Sequence, residues 1–224
     1  MDFTFGICSS PGNEEKLNVI IDSIERQNIE NYEIIIIGNN AIKRDKTTVV
    51  GFDETVKRAW ITKKKNLITK LAKYDNVVYM HDYIYLCDGW YDGYLKHGDG
   101  FDICMNSIIN RDGTRFRDWT LWTDLEGFLG SRGFIIPYDM THLSKYMYIS
   151  GSYWVCKRHV MEKFPLDERL AWGESEDVEW SKRVRCIYKF SINRDSSVRF
   201  MKQKDKVFDY SSDNDINMLK MIRW

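Results

Sequence analysis

The chain has 224 residues and no net charge, since 33 basic side chains balance 33 acidic ones. This length suits one α/β domain with a sizeable core. Neutrality argues against a general nucleic-acid binder or membrane-surface binder, because both classes need an excess of basic side chains. No apolar run approaches the roughly 20 residues that cross a bilayer, so no transmembrane segment is predicted.

The cysteines and the N-terminal sequence both favour a reducing compartment. Five cysteines are scattered without a Cys-x-x-Cys motif, and most lie in apolar runs, which predicts buried free thiols. Residues 1–5 lack the basic region and apolar core of a signal peptide. We therefore expect a cytoplasmic protein. The sequence is rich in Ile, Lys, Asn and Asp, as are proteins of bacteria and of large DNA viruses. If the chain is viral, the expected compartment is the cytoplasm of the host.

The first 40 residues predict a strand, a helix and a second strand. Phe3–Cys8 is an apolar strand that stops at a Ser-Ser-Pro-Gly turn. Leu17, Ile20, Ile21 and Ile24 recur with helical spacing. Ile34–Ile37 is a β-branched run typical of a buried parallel strand, and it ends at Gly38-Asn39-Asn40. Ligands of such sheets bind beyond the carboxyl ends of the strands, so both turns should lie at one site.

The remaining elements follow from the same patterns. Lys43–Glu54 is polar and is predicted to be a loop, and residues 110–144 show little periodicity and are predicted to be long functional loops. We expect a helix from about Thr62 with Leu67, Ile68 and Leu71 facing inward, and a terminal helix over 213–224. Further strands are predicted at 76–80, 101–105, 153–156 and 197–201.

Three groups of polar residues on these elements suggest chemistry. Asp82 follows the strand at 76–80, where a carboxylate can bind a divalent cation. Lys63-Lys64-Lys65-Asn66 begins a helix and could neutralise the negative charge of a bound phosphate. Ala171–Arg183 packs four carboxylates into six positions, with Ser175 as a helix N-cap and Val178, Val184 and Ile187 buried. The simpler interpretation of this last segment is an ordinary acidic helix start.

In their order and spacing these segments resemble the glycosyltransferase A fold, and especially family 2-like inverting enzymes. The resemblance covers roughly residues 3–190 and includes Ser150-Gly151-Ser152-Tyr153 and Trp172-Gly173. It implies one α/β domain over 1–224 with a mixed, mostly parallel sheet flanked by helices. Within it, residues 1–110 would bind the nucleotide sugar, 111–200 the acceptor, and 201–224 would form a C-terminal tail.

The resemblance also implies roles for individual residues. Asp177 would be the general base and Glu176 would orient it or bind the acceptor. Asp82 would bind Mn²⁺ or Mg²⁺, although Tyr83 stands where a second carboxylate is usual, and His142 or His159 could assist. The remaining assignments are nucleotide contacts at Ser9, Ser10, Asn39, Lys64, Lys65, Asn66 and His81, and sugar or acceptor contacts at Gly151, Ser152, Trp172 and Glu174.

The resulting hypothesis is a metal-dependent enzyme that transfers a sugar from a UDP-sugar to a glycan or glycoprotein hydroxyl. Inversion is favoured, but retaining enzymes share the fold. One alternative is a nucleotidyltransferase, although the turn at 9–13 lacks the basic residue usual there. The other is an inactive sugar-nucleotide-binding scaffold, which the incomplete acidic pair keeps open. Trp154 and Trp180 are expected in the core, with Trp172 the best candidate for a sugar platform.

Overall fold

A computed structural model describes residues 1–125, 130–204 and 211–221. The first elements are β1 Phe3–Cys8, α1 Glu14–Glu25, β2 Tyr32–Ile37, β3 Thr47–Val50, α2 Ile61–Leu71, β4 Asn76–His81, β5 Ile84–Leu86, α3 Trp90–His97 and β6 Ile103–Ile109. They are followed by β7 Thr120–Leu125, β8 Gly130–Ile135, a 3₁₀ helix Thr141–Tyr146, β9 Met147–Tyr148, β10 Tyr153–Lys157, α4 Arg158–Lys163, α5 Glu176–Val184, β11 Phe190–Phe200 and α6 Asp213–Lys220.

Within these ranges, eight strands form one sheet in the order β3-β2-β1-β4-β10-β6-β11-β5. The first four strands are parallel, and β10 lies antiparallel between β4 and β6. β11 is parallel to β6, and β5 is antiparallel at the edge. A small antiparallel sheet, β8-β7-β9, stands beside it. The predicted mixed α/β architecture is confirmed.

The opening β-α-β unit has the predicted arrangement. Leu17, Ile20, Ile21 and Ile24 form the buried face of α1. Cys8, at the end of β1, is level with Ile37 of β2 and with His81 of β4. The carboxyl ends of these three strands therefore meet at one edge, where the turns that follow them can share a ligand.

Two predicted loops contain strands. The 43–54 segment includes β3, which pairs in parallel with β2, and its Thr-Thr-Val-Val sequence favours an edge strand despite polar neighbours. The 110–144 segment includes β7 and β8, which pair antiparallel, and the 3₁₀ helix. Trp119, Leu121 and Phe134 are buried and stabilise these strands. Their irregular spacing in the sequence did not predict strands.

Two predicted core positions are exposed. Leu71 is 45% exposed and Ile187 is 56% exposed, while Leu67 is half-buried. In α2, Ile68 is buried as predicted, and Lys64 and Lys65 are buried beside it. Apolar periodicity failed here because the interior of this helix is partly charged. The terminal helix is described only to residue 221, so residues 222–224 of that prediction lie outside the described ranges.

Cys8, Cys104 and Cys156 are buried, as expected, whereas Cys87 is partly exposed and Cys186 is exposed; all five are free thiols. None of the helices in the described part of the chain is long and apolar enough to span a membrane.

We predict that Gly6→Ala destabilises the fold by about 1–3 kcal/mol, because an added methyl group overpacks the contact between β1 and α2. A Cβ at position 6 would lie 2.2 Å from Cγ2 of buried Ile68. Urea unfolding gives the free energy, with Gly100→Ala as control, since a Cβ there meets no atom within 4 Å among the described residues. Equal free energies for the two variants would contradict this packing.

Candidate functional site

A cavity of about 600 Å³ lies where β4 ends and α5 begins. Its volume is in the range of small-molecule sites. The lining residues come from the strand ends, the turn before β10, the start of α5 and the segment after β11: His81, Phe116, Arg117, Trp122, Tyr148, Ser150, Gly151, Ser152, Trp172, Gly173, Ser175, Glu176, Asp177, Val178 and Lys204. The cavity thus joins parts of the chain from position 81 to position 204.

Gly151 brings both predicted acidic residues to one wall of the cavity. Its N–H donates to Oδ2 of Asp177 at 2.8 Å. A Cβ on this residue would lie 2.9 Å from Oε1 of Glu176 and 3.0 Å from Oδ2 of Asp177. The backbone can approach the two carboxylates this closely because position 151 has no side chain.

Lys65 supports the same wall from within the core. Its fully buried ammonium group donates to the carbonyl of Gly151 at 2.6 Å and lies 4.4 Å from the centre of the Trp154 ring. Burial lowers the pKa of Lys65, and the charges of Cys8, Glu176 and Asp177 oppose this. The structure therefore places Lys65 beneath the site, where it supports the acidic pair.

Glu176 is a buried carboxylate. Burial raises its pKa, Lys65 opposes that rise, and the charge of Asp177 adds to it. Asp177 is half-buried and faces the cavity. Its Oδ1 accepts from the N–H of Val178 at 2.9 Å, so each carboxylate oxygen accepts one backbone bond and retains a lone pair for a ligand.

Ser175 precedes α5 as predicted, but it does not act as a side-chain cap. Its backbone is left-handed, with φ of 59°, and its hydroxyl makes no capping bond to the described helix. The turn instead directs the start of α5 toward the cavity.

Asp82 ties the first turn to the end of β4. Its Oδ2 accepts from Ser9 Oγ at 3.0 Å, Ser10 N at 3.0 Å and Asn13 Nδ2 at 2.9 Å. Ser9, Ser10 and Asp82 thus come together as the strand order predicts, and the carboxylate organises the turn that follows β1.

The described residues do not by themselves fit a Mn²⁺ or Mg²⁺ site at Asp82. No three His, Cys, Asp or Glu side chains converge anywhere in the described ranges. His142 lies against the carbonyl of Leu219, and His159 lies 3.5 Å from Asp102, so neither assists Asp82. Asp82 therefore supplies one carboxylate ligand, and a divalent cation held there would take its remaining ligands from water and substrate phosphates.

His81 lines the cavity with a buried ring whose Nε2 has no hydrogen-bond partner among the described residues. Burial lowers its pKa well below the usual range, and the positive charges of Lys65 and Lys204 lower it further. The ring is therefore neutral at neutral pH. An unpaired buried nitrogen in a cavity is available to a ligand.

Three other predicted nucleotide contacts bind neighbouring protein segments. Lys64 donates to the carbonyl of Ser9 at 2.6 Å and pairs with Glu54. The Asn66 side-chain amide donates to the carbonyl of Leu166 and accepts from the N–H of Leu166, at 2.9 Å each. The Asn39 amide does the same with Phe52, at 2.9 and 3.1 Å. These side chains position the loops around the site.

The predicted sugar contacts are divided between the cavity and solvent. Trp172 is 60% exposed at the edge of the cavity, which suits a platform for a sugar ring, while Trp154 and Trp180 are fully buried. Ser152 lines the cavity. Glu174 is exposed, and its Oε2 accepts from the N–H of Ala171 at 2.6 Å, so it shapes the turn outside the cavity.

Sequence patterns did not identify Arg117, Tyr148 and Lys204. Arg117 has a left-handed backbone, with φ of 44°. Tyr148 is buried near Asp177, and burial followed by that charge raises its pKa. Of the three, only Arg117 lies within the predicted functional loops of 110–144, and none belongs to a local motif.

Comparison with solved structures places this site in a known fold. The S. aureus protein TarS 1–349 in complex with UDP-GlcNAc matches with a TM-score of 0.59 and 13% identity, over 92% of this chain and 60% of the 1–349 chain. GalNAc-T7 with UDP, GalNAc and Mn²⁺ matches with a TM-score of 0.64 and 15% identity, over 98% of this chain and 48% of GalNAc-T7. The chain therefore spans less than two thirds of each.

The chain has a glycosyltransferase A fold, as its sequence predicted. No protein-family model matches it, and no curated protein sequence matches it either.

We predict that Lys65→Met lowers the free energy of unfolding by about 2–4 kcal/mol, because the buried carboxylate of Glu176 loses its nearby positive charge. The control is Lys63→Met on the same helix, whose ammonium lies over the Trp60 ring at 4.1 Å, and its expected loss is below about 1 kcal/mol. Equal losses in urea unfolding would show that Lys65 does not support the acidic wall.

We predict that Glu176 makes stability fall as pH rises above 4.5, its ordinary pKa. The folded state holds this proton more tightly than the unfolded state, so unfolding releases it. The difference between the free energies of unfolding of wild type and Glu176→Gln should therefore decrease as the pH rises above 4.5. Urea unfolding over a pH series measures this, with Glu15→Gln controlling for one lost charge. A flat or rising difference would contradict the buried state of Glu176.

Proposed function

We propose that the chain is a glycosyltransferase that moves a sugar from a UDP-sugar to a hydroxyl group of a carbohydrate or glycoprotein acceptor. The observation that carries the proposal is the position of Asp177, a half-buried carboxylate held by the N–H of Gly151 in the wall of a 600 Å³ cavity. A base needs this combination of fixed geometry and access.

Support for the donor comes from the fold and from the compared proteins. Sheets of this kind bind ligands beyond their carboxyl strand ends, and here those ends carry Ser9, Ser10 and His81. TarS is in complex with UDP-GlcNAc and GalNAc-T7 with UDP and GalNAc. We propose that residues 1–110 form most of the donor site and that residues 111–200 bind the acceptor.

The proposed reaction is a displacement at the anomeric carbon. The acceptor oxygen forms a bond to this carbon while the bond to the β-phosphate oxygen breaks, so UDP leaves with the bonding electrons. Asp177 takes the proton of the acceptor hydroxyl. Glu176, whose pKa burial raises, lies beside it and can orient the acceptor. These steps are carried by the chain's own carboxylates, Asp177 and Glu176.

Trp172 can bind the sugar on the same side. Its exposed ring at the edge of the cavity can pack against the apolar C–H face of a pyranose while the carboxylates bind its hydroxyl groups. Inversion remains the proposed outcome, since Asp177 acts as a base.

The two alternatives have less support. The turn at 9–13 has no basic side chain, and its hydrogen-bond donors are used by Asp82. Both features disfavour a nucleotidyltransferase. A scaffold protein does not need a buried lysine, a glycine and two carboxylates assembled at one wall, so this arrangement favours an enzyme.

We predict that Asp177→Asn keeps UDP-sugar binding but lowers transfer or donor hydrolysis at least 100-fold, because an amide cannot accept the proton. UDP release from a panel of UDP-sugars measures turnover, and calorimetry measures binding. The control is Glu179→Gln on the same helix, whose carboxylate pairs with Arg183.

Unchanged turnover in Asp177→Asn would remove this residue as the base. If the wild type releases UDP from no sugar, with or without acceptors, the scaffold hypothesis is favoured.

A further inference from the structure

Two lysines contact Tyr83, the residue that stands where a second metal-binding carboxylate was expected. Tyr83 follows Asp82. The ammonium groups of Lys202 and Lys204 lie over its ring, 4.5 Å and 4.4 Å from the ring centre. The ammonium of Lys204 is also 3.3 Å from the Tyr83 hydroxyl. Positive charge thus lies against Tyr83, the residue that follows Asp82.

The backbone of these lysines is anchored. The N–H of Met201 donates to the carbonyl of Tyr83 at 2.9 Å. The N–H of Lys204 donates to Oδ1 of Asn110 at 2.9 Å, and the Asn110 amide donates to the carbonyl of Lys204 at 3.2 Å. The backbone of the segment after β11, which carries the two lysines, is therefore fixed to the strand end.

Of the two lysines, Lys204 faces the same cavity as an unused polar atom, while Lys202 lies on the exposed side of Tyr83. Lys204 and His81 both line this cavity, and Nε2 of the buried His81 ring has no partner among the described residues. The nearby carboxylate of Asp82 already accepts three hydrogen bonds through Oδ2. A divalent cation would meet repulsion from two ammonium groups here, whereas an anion would be attracted.

We propose that Lys202 and Lys204 bind the diphosphate of the donor in place of a metal ion, and that His81 provides a further polar contact. This proposal rests on the proposed function. The diphosphate carries several negative charges, and a lysine ammonium is a suitable point charge for it. The same charges stabilise the β-phosphate oxygen when its bond to the sugar breaks.

The test is calorimetric binding of UDP to the full chain, in EDTA and in Mn²⁺. We expect the two dissociation constants to agree within threefold. Lys204→Met should weaken UDP binding in EDTA at least 10-fold, and the double variant with Lys202→Met at least 50-fold. UMP binding should change less than threefold, because UMP lacks the second phosphate.

The control is Lys96→Met on α3, where the ammonium pairs with Asp195 on the surface, and UDP binding should not change. Melting temperatures confirm that each variant is folded.

Binding of UDP in Mn²⁺ alone would overturn the lysine proposal and leave the transferase proposal intact. Unchanged UDP binding in the double variant would also overturn it. Failure of every nucleotide to bind, with or without metal, would reject both proposals.

Discussion

The buried ammonium of Lys65 is the interaction on which the rest of the site depends. It connects α2 to the carbonyl of Gly151, whose own N–H holds Asp177. A lone buried charge costs several kcal/mol, so Lys65 is tolerated because Glu176 and Asp177 lie nearby. The buried state of Glu176 depends in turn on Lys65. These four residues stabilise one another, which links the strand-end half of the site to its acidic half.

This linkage explains why the polar residues of α2 serve as scaffold. Lys64 holds the turn after β1, Lys65 holds the turn before β10, and Asn66 holds the segment that leads toward α5. One helix thus positions three separate pieces of the cavity. We propose that the segment after β11 adds positively charged groups that contact the donor. A rigid frame with separate ligand contacts is what precise group transfer requires.

Much of the fold was predictable from local patterns, because β1, α1, β2 and β4 have simple apolar periodicity and their order defines where strand ends meet. The grouping of Ser9, Ser10 and Asp82 followed from that order, whereas Gly151 and the acidic pair were assigned to the site by the resemblance. The role of Lys65 was not predictable, because a Lys-Lys-Lys run does not reveal which side chain enters the core. Lys204 and Arg117 were missed because only tertiary packing brings them to the cavity. Tyr83 was noticed as an exception, and the structure shows two lysines against its ring.

The central claim is that this cavity and the adjoining strand ends receive a uridine diphosphate sugar. A thermal-shift comparison of UDP, GDP and CMP tests it most directly, since a ligand that binds only the folded chain raises stability by mass action. The account predicts that UDP raises the melting temperature, that UDP-sugars raise it at least as much, and that GDP and CMP have little effect. No shift with UDP, or a larger shift with GDP or CMP, would contradict the account.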